Sequence, residues 1–347
     1  YERAQLARYL NRTIFFASSE ILVNKVHTFH RIGWTDERAH SLKDPPKRIR
    51  CVFNVSAGEA IDSAIKLARG ATGKTTIVCA DNSYHGSTGY ALAASAPSLS
   101  AHLPGRPPGF VHVPYGPIDA IAHEFEKHDD IASVLLEPIA IEAGCVVPPD
   151  GYLENVYDLC RGRGALVILD ESVTGLGRTG AAFAFTQQSA SFDIVTLGRA
   201  LGGGIYPIYA TCHREELDPF YVRNPFVHVS TFGGGEAGCS AARTALYELI
   251  ADPVLENVRE RGAEFRKGTA KFRTGAGALV RDVRGVGLAN AVEFRDARTA
   301  RAVQRALFER GVWCRAALLA PQSLLFLPPL TISPDEMAAV LEAFEPS

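Results

Sequence analysis

The feature that most constrains the fold is a regular alternation of short apolar runs with helical patterns from residue 51 onward. The runs are bounded by turn residues and are apolar on both faces, as strands buried in a parallel sheet are. We predict strands at Cys51–Phe53, Thr76–Cys79, Val134–Leu136, Ala165–Leu169, Ile194–Leu197 and Ile208–Cys212. Helices predicted over about 59–70, 152–163 and 238–251 lie between or after them. This order is typical of an α/β layered sheet.

The pattern divides the chain into three parts. Residues 1–50 form a partly structured lead-in, in which Thr13–Phe16 has the pattern of a strand. Residues 51–252 form a large domain, and residues 253–347 form a smaller α+β domain. The smaller domain is predicted to hold helices near 255–272 and 297–310, strands near 279–283, 288–294 and 323–327, and a last helix that begins at Ser333-Pro334-Asp335-Glu336. This last segment has the pattern of a capping box, with proline in the first turn.

Composition argues against several classes of protein. Apolar residues make up 47% of the chain and the net charge is -2, with lysine and arginine dispersed, so we expect no nucleic-acid partner. No apolar run approaches the ~18 residues of a membrane span, and Tyr1-Glu2-Arg3 does not resemble a signal peptide. The cysteines show no CxxC spacing, so we expect buried thiols and no metal site. These features predict a cytoplasmic protein that acts on a small molecule.

Charged residues follow directly on three of the predicted strands. Glu137 follows Val134–Leu136, Asp170 and Glu171 follow Ala165–Leu169, and Arg199 comes just after Ile194–Leu197. In open α/β sheets, ligands bind outside the carboxyl ends of the strands. One such residue alone is most often a solvated strand end, and Glu171 is equally well explained as a brace for its strand. Three strand ends together indicate one site.

Two glycine-containing segments precede predicted helices. Ser56-Ala57-Gly58 lies immediately before the helix at 59–70, and Ser230–Gly235 lies before the helix at 238–251. Backbone N–H groups at a helix start can hold a phosphate. Each segment alone is a weak signal, because serine and glycine are common at helix starts.

Taken in order, these segments resemble the motifs of class III aminotransferases, which are pyridoxal-phosphate enzymes of fold type I. The matching segments are Ser56–Ala60 with Ala64–Arg69, Tyr84-His85-Gly86, Glu137-Pro138 with Gly151-Tyr152-Leu153, Asp170–Gly180, Thr196–Gly204, Ser230–Gly234 and Pro328–Thr331. They cover residues 51–347 with normal spacing. The resemblance implies a fold-type I PLP-transferase, in which helices flank a mainly parallel sheet in the large domain and a smaller C-terminal α+β domain follows.

The resemblance also implies roles for individual residues. Ala57 and Gly58, with Ser56 beside them, would bind the cofactor phosphate, helped by Thr231 from the partner subunit of a homodimer with shared active sites. Tyr84 would stack on the pyridine ring. Asp170 would pair with the ring nitrogen and keep it protonated, which makes the ring an electron sink.

The chain departs from the family pattern at its most important position. Arg199 stands where the family has the lysine that bonds the cofactor as a Schiff base. That chemistry needs an amine that can lose its proton and attack an aldehyde. A guanidinium stays protonated, with a pKa above ~12, and its delocalised nitrogens are poor nucleophiles. We therefore predict that Arg199 cannot form the usual covalent bond.

Two further departures concern the ring and the substrate. Ser172 and Val173 occupy positions where the family often has an apolar residue that packs on the ring and a glutamine that bonds its hydroxyl. Leu325 lies three residues before Pro328, where many members have an arginine that grips a substrate carboxylate. A common exchange between an amino acid and a 2-oxo acid would therefore lack its usual anchor.

Three interpretations stay open. The preferred one is an aminotransferase-fold enzyme with a repurposed pocket, which holds pyridoxal or pyridoxamine phosphate noncovalently or works without a cofactor, for example as a cyclase or isomerase. Arg199 would then bind an anion or oxyanion, and Asp170, Glu137 or His85 would transfer protons. The second is a true PLP-dependent aminotransferase with a lysine-to-arginine change. The third is a non-catalytic binding partner. His85 is equally well explained as a structural residue.

Overall fold

A seven-stranded sheet forms the centre of the larger part of this computed structural model, which describes Leu6, Leu10 and residues 48–251, 253–275 and 279–345. The strands are β1 (Ile49–Asn54), β2 (Thr76–Ala80), β3 (Phe110–Val113), β4 (Ile131–Leu136), β5 (Leu166–Glu171), β6 (Ile194–Leu197) and β7 (Tyr209–Arg214). Their order across the sheet is β1-β7-β6-β5-β4-β2-β3. Strands β2 to β6 run parallel, which confirms the predicted α/β sheet.

The prediction that Ile208–Cys212 is a parallel strand is wrong. Strand β7 pairs antiparallel with both of its neighbours, β6 and β1. Residues 198–208 join β6 to β7 without a helix, whereas a parallel crossover needs about a dozen or more residues and usually a helix. Apolarity on both faces of a run indicates burial, and it leaves the direction of the strand open. Strand β3 was not predicted, because it is a half-buried edge strand without a continuous apolar run.

Helices cover both faces of this sheet. They are α1 (Ala57–Thr72), α2 (Gly89–Ala94), α3 (Pro97–Ser100), α4 (Ile118–Lys127), α5 (Tyr152–Gly162), α6 (Pro219–Arg223) and α7 (Glu236–Ala251). Successive residues of a strand point to opposite faces, so the strands divide between two cores. Val134 and Leu136 of β4 join α4, α5 and α7 in one core, while Leu135 joins α1 and α2 in the other.

Helix α1 begins two residues earlier than predicted. Ser56 is its N-cap, with the side-chain oxygen accepting a hydrogen bond from the Glu59 N–H at 3.1 Å. Gly73 ends the helix with φ +69°, a left-handed conformation that favours glycine. Ala57 and Gly58 therefore lie in the first helical turn, where backbone N–H groups have no partner within the helix.

A smaller unit follows at the C-terminal end. Its elements are α8 (Val254–Ala270), α9 (Phe272–Gly275), β8 (Val280–Val286), β9 (Ala289–Phe294), α10 (Ala297–Glu309), β10 (Arg315–Ala316), β11 (Ser323–Phe326) and α11 (Pro334–Glu342). The strands form an antiparallel sheet in the order β10-β11-β9-β8. Every predicted element of this unit is present within a few residues, and the capping box at Ser333 is confirmed. The two-residue strand β10 was not predicted.

The domain boundaries after residues 50 and 252 stay predictions, and the strand predicted at Thr13–Phe16 lies outside the described residues. No helix in the described part of the chain is long and apolar enough to cross a membrane.

One close backbone contact joins α8 to the turn between β8 and β9. A Cβ atom added at Gly262 would lie 1.9 Å from the carbonyl oxygen of Gly287, so only glycine fits. We expect Gly262→Ala to lower the free energy of unfolding by about 2 kcal/mol or more, as overpacking against a rigid group does.

The matched control is Gly162→Ala near the end of α5, where an added Cβ meets no atom within 4 Å. Alanine has the higher helix propensity, so this variant should be neutral or more stable by up to about 1 kcal/mol. Urea unfolding followed by circular dichroism measures both. Equal midpoints for the two variants would show that the contact at Gly262 does not constrain the fold.

Candidate active site

The charged residues at the strand ends meet in one pocket. A cavity of about 290 Å³, which includes space open to solvent, lies at the carboxyl ends of β4, β5 and β6. Its lining consists of Ala57, Tyr84, His85, Gly86, Glu137, Asp170, Ser172, Val173 and Arg199. Eight of these nine were predicted as site residues from the sequence, and Gly86 was not. None of the lining residues is a lysine.

Three predicted site residues do not line the pocket. Ser56 caps α1, and Thr231 is exposed on the surface of the single chain. Gly58 is buried beside the pocket, where an added Cβ at Gly86 would come within 2.7 Å of the Gly58 Cα atom. The start of α1 and the segment around Gly86 thus touch at backbone distance, which explains the glycine at position 86. A Cβ atom added at Gly58 would instead lie 2.6 Å from the Thr88 hydroxyl oxygen.

Three hydrogen-bond partners stabilise Asp170 as an anion in the pocket. Its Oδ2 atom lies 2.9 Å from His85 Nδ1, and its Oδ1 atom accepts hydrogen bonds from the Ser172 N–H and the Thr196 hydroxyl, both at 3.0 Å. Burial raises the pKa of this carboxyl, but the hydrogen bonds from His85 and Ser172 outweigh it, and the pKa lies below its ordinary value. Asp170 is therefore ionised at neutral pH.

The pKa of Glu137 is shifted in the opposite direction. It is buried, and the loss of solvent, together with the negative charge of Asp170, raises its pKa well above the ordinary value despite a hydrogen bond from the Tyr84 N–H. Two buried carboxyl groups whose pKa values are shifted in opposite directions thus line the same pocket. Environments that separate two carboxyl pKa values in this way assign one group as proton donor and the other as anion.

Glu171 lies beside Asp170 but braces the structure outside the pocket. Its carboxylate accepts hydrogen bonds from the Thr174 hydroxyl at 2.6 Å and the Phe185 N–H at 2.8 Å. These bonds tie the end of β5 to the loop that follows. The interpretation of Glu171 as a brace for its strand agrees with this geometry.

Burial of Glu171 makes a pH-dependent contribution to stability. Burial raises its pKa from 4.5 to about 7. Between these pH values the unfolded chain is ionised at Glu171 while the folded chain keeps the proton, so stability falls as pH rises through this window. The loss amounts to about 3 kcal/mol between pH 4.5 and 7 and levels off above it.

The variant Glu171→Gln, which carries no titratable group at this position, isolates the effect. Relative to this variant, the native protein should lose stability steadily from pH 4.5 to 7 in urea unfolding experiments. A difference between the two proteins that stays constant over that range would refute the assignment. The contributions of other titrating groups to stability cancel in this difference, because both proteins contain those groups.

Arg199 lies at the edge of the pocket in a strained conformation. Its φ angle of +39° places a non-glycine residue in the left-handed region, and such strain concentrates at functional sites. The residue is exposed in the single chain. Within the described ranges, its guanidinium forms no hydrogen bond or ion pair with another residue. It is thus a cation available to a ligand.

A second guanidinium, that of Arg315, already forms an ion pair with a carboxylate. Both terminal nitrogens of Arg315 donate to the buried carboxylate of Glu142, one of them at 2.8 Å. Burial alone would raise the pKa of Glu142, but Arg315, the Leu318 N–H and the charge of Arg199 hold it below the ordinary value. On the small sheet, Arg315 is the cross-strand partner of Leu325. Sequence analysis missed the pair of Glu142 and Arg315, because the two residues are 173 positions apart in the chain.

Two buried polar atoms of the lining lack a partner. The His85 Nε2 and Ser172 Oγ atoms are excluded from solvent and form no hydrogen bond in the structure. Buried polar groups are nearly always paired, so unpaired ones in a pocket indicate a polar ligand. The pocket therefore combines an ionised carboxylate, a carboxyl group with a raised pKa, an available guanidinium and a helix start.

Comparison with known proteins identifies the family. The family model described as aminotransferase class III matches residues 24–346. This chain belongs to the class III aminotransferase family. It is 39% identical over 293 residues to an uncharacterised aminotransferase of Archaeoglobus fulgidus, covering 84% of this chain and 68% of the relative. It is 37% identical over 298 residues to a putrescine aminotransferase of Pectobacterium atrosepticum, covering 84% of this chain and 64% of the relative. This class III chain thus spans about two thirds of the length of these relatives.

Solved structures agree with the family assignment. Ornithine aminotransferase from Toxoplasma gondii, 30% identical, superposes with a TM-score of 0.80 over 86% of this chain and 71% of that protein. An aminotransferase of Bacillus anthracis, 23% identical, gives a TM-score of 0.84 over 99% of this chain and 79% of that protein and supports the fold alone. The predicted PLP-transferase fold of this class III family member is confirmed.

Proposed function

We propose that this class III family member binds pyridoxal phosphate or pyridoxamine phosphate noncovalently and catalyses a reaction other than ordinary transamination. The observation that carries the proposal is Arg199, which lines the pocket at the position of the Schiff-base lysine while no lysine lines the pocket. A guanidinium does not supply the deprotonated amine that covalent attachment needs.

The residues of the pocket fit the cofactor. Ala57, in the first turn of α1, lines the cavity and offers the N–H groups and positive end of a 16-residue helix to a phosphate. Tyr84 lines the cavity as a stacking surface for an aromatic ring. Asp170 is ionised and buried, as a partner of a protonated ring nitrogen must be. When bound, the cofactor supplies an electron sink for a carbanion.

The groups that this chain contributes suit proton transfer and anion binding. Glu137 holds a proton inside the pocket and serves as the general acid. Arg199 binds a carboxylate, phosphate or developing oxyanion of the substrate, because no other residue among those described forms a hydrogen bond or ion pair with its guanidinium. His85 orients Asp170 through the 2.9 Å contact and offers its free Nε2 atom to a polar ligand. This arrangement suits isomerisation, elimination or cyclisation of an anionic small molecule.

The other two interpretations have less support. A true aminotransferase with a lysine-to-arginine change would have to borrow another amine, and no lysine lines the pocket. Lys66, on α1, contacts the Val227 carbonyl and His228. A non-catalytic partner has no need for two buried carboxyls with opposite protonation states. Leu325 cannot grip a substrate carboxylate, which agrees with an altered choice of substrate. Its cross-strand neighbour Arg315 does not replace the missing arginine, because the Arg315 guanidinium is bound to Glu142.

We also propose that two copies form a homodimer. Large apolar side chains are exposed along one segment of the single chain, with Ile205 at 86% and Phe226 at 88%. The same segment includes the exposed Phe232, next to Thr231. A second copy covering this surface would bring Thr231 towards the neighbouring pocket, where a hydroxyl can help to bind phosphate. Sedimentation of the protein at micromolar concentration tests the dimer.

The proposed function is tested by an amino-transfer assay. Native protein is loaded with pyridoxamine phosphate, mixed with a panel of 2-oxo acids, and followed by absorption for conversion of the cofactor to its aldehyde form. We expect saturable binding with conversion slower by about 10²–10⁴-fold than in a conventional class III enzyme, since a positioned proton-transfer group contributes that much. Conversion at the conventional rate would overturn the proposal in favour of a true aminotransferase.

A further inference from the structure

Two thiols face each other across the edge of the large sheet. Cys51 of β1 and Cys212 of β7 are direct partners in the antiparallel register, and their sulfur atoms lie 3.2 Å apart. Both are free cysteines, and both side chains pack on the same core as Ile49 and Phe53. The thiols are thus side by side and on the same face.

The backbone geometry of this pair suits a disulfide. Directly opposed residues of antiparallel strands have Cα atoms about 4.5–5.5 Å apart, within the range of about 4.4–6.8 Å that disulfides span. The sulfur atoms need to approach by about 1 Å to reach the bond length of about 2.05 Å. Side-chain rotation can supply such a movement without a change of strand register.

We infer that Cys51 and Cys212 form a reversible disulfide, with a small-molecule disulfide such as oxidised glutathione as the oxidant, and that this bond ties edge strand β1 to the sheet. The inference is independent of the function proposed above, because neither cysteine lines the pocket. Among the described residues, strand β1 is the outermost strand on its side of the sheet and has β7 as its one neighbour. Cys51 also lies five residues before Ser56, the cap of the helix that lines the pocket.

The order of the two exchange steps follows from exposure. Cys51 is half-buried and Cys212 is fully buried, so Cys51 reacts first. Its thiolate attacks one sulfur of the small disulfide, which forms a mixed disulfide and releases one thiolate. The Cys212 sulfur then loses its proton, attacks the Cys51 sulfur and expels the second thiolate. The protein loses two hydrogens, and one small disulfide becomes two thiols.

Burial raises the pKa of the Cys212 thiol well above the ordinary value. The second step is therefore the slower one at neutral pH. It should accelerate as the pH rises, because the attacking group is the thiolate.

The test is peptide mapping of native protein after incubation with oxidised glutathione, acid quenching and alkylation of the remaining thiols. We expect a cross-linked pair of peptides containing Cys51 and Cys212, while the buried Cys79 and Cys160 stay alkylatable after unfolding. Dithiothreitol should reverse the bond, and the oxidised protein should melt at a higher temperature than the reduced protein. Free thiols at both positions, or glutathione that stays on Cys51 in the native protein, would overturn the inference.

Matched variants separate the two steps. In Cys212→Ser, glutathione should stay attached to Cys51, because the resolving sulfur is missing. In Cys51→Ser, neither the adduct nor the cross-link should form. If either variant fails to fold, the peptide map of the native protein still decides the matter.

Discussion

Arg199→Lys is expected to create covalent attachment of pyridoxal phosphate, which we propose that the native protein does not form. The lysine amine would stand at the edge of the pocket in the place of the guanidinium, and it can lose its proton and attack the aldehyde. Borohydride reduction followed by peptide mapping should then find the cofactor on residue 199. Amino transfer from pyridoxamine phosphate to a 2-oxo acid should accelerate by about 10²–10⁴-fold, the usual contribution of a positioned proton-transfer group.

The control for this experiment is Arg199→Gln, which removes the charge without adding an amine. It should show neither attachment nor faster transfer, and it should bind an anionic substrate more weakly than the native protein. Absence of attachment in Arg199→Lys, when this variant still binds the cofactor, would show that residue 199 does not reach the aldehyde. The assignment of the pocket to the family's cofactor chemistry would then fail.

Asp170→Asn is expected to weaken pyridoxamine phosphate binding by about 2–4 kcal/mol, the scale for removing one partner of a buried charge pair. This corresponds to roughly 30- to 1,000-fold in the dissociation constant. An amide cannot hold the ring nitrogen in its protonated form. It also leaves His85 without its carboxylate partner at 2.9 Å. Calorimetric titration of the purified variant measures the loss.

Thr196→Val is the matched control, because Thr196 donates one hydrogen bond to Asp170 at 3.0 Å and carries no charge. It should cost about 1 kcal/mol, the net contribution of a single hydrogen bond. Equal losses in the two variants would mean that general distortion weakens binding. Unchanged affinity in Asp170→Asn would show that the carboxylate does not contact the cofactor.

Much of the large domain could be predicted from the sequence, because short runs that are apolar on both faces mark buried strands. The apolar runs of β2, β4, β5 and β6 end within two residues of the observed strand ends. The charged residues at the ends of β4, β5 and β6 converge because parallel strands share an edge. The direction of a strand was harder to predict from the sequence. The run that became β7 is as apolar as its parallel neighbours, and its direction depends on the connection of residues 198–208.

The site residues that lie at strand ends or in short sequence motifs could be predicted. Asp170 and Arg199 were identified from strand ends and motifs, and the structure brings both to one pocket. The pair of Glu142 and Arg315 was not found, because their contact joins positions 173 residues apart. Thr231 stays a prediction, since its role requires a second copy of the chain.

The central claim is that the family's cofactor site persists without covalent attachment. The most direct measurement divides one sample of native protein, equilibrated with pyridoxal phosphate, between calorimetry and borohydride reduction with peptide mapping. The account predicts saturable binding of about one cofactor per chain and no modified lysine peptide. A modified lysine in near-stoichiometric yield, or the absence of binding, would contradict it.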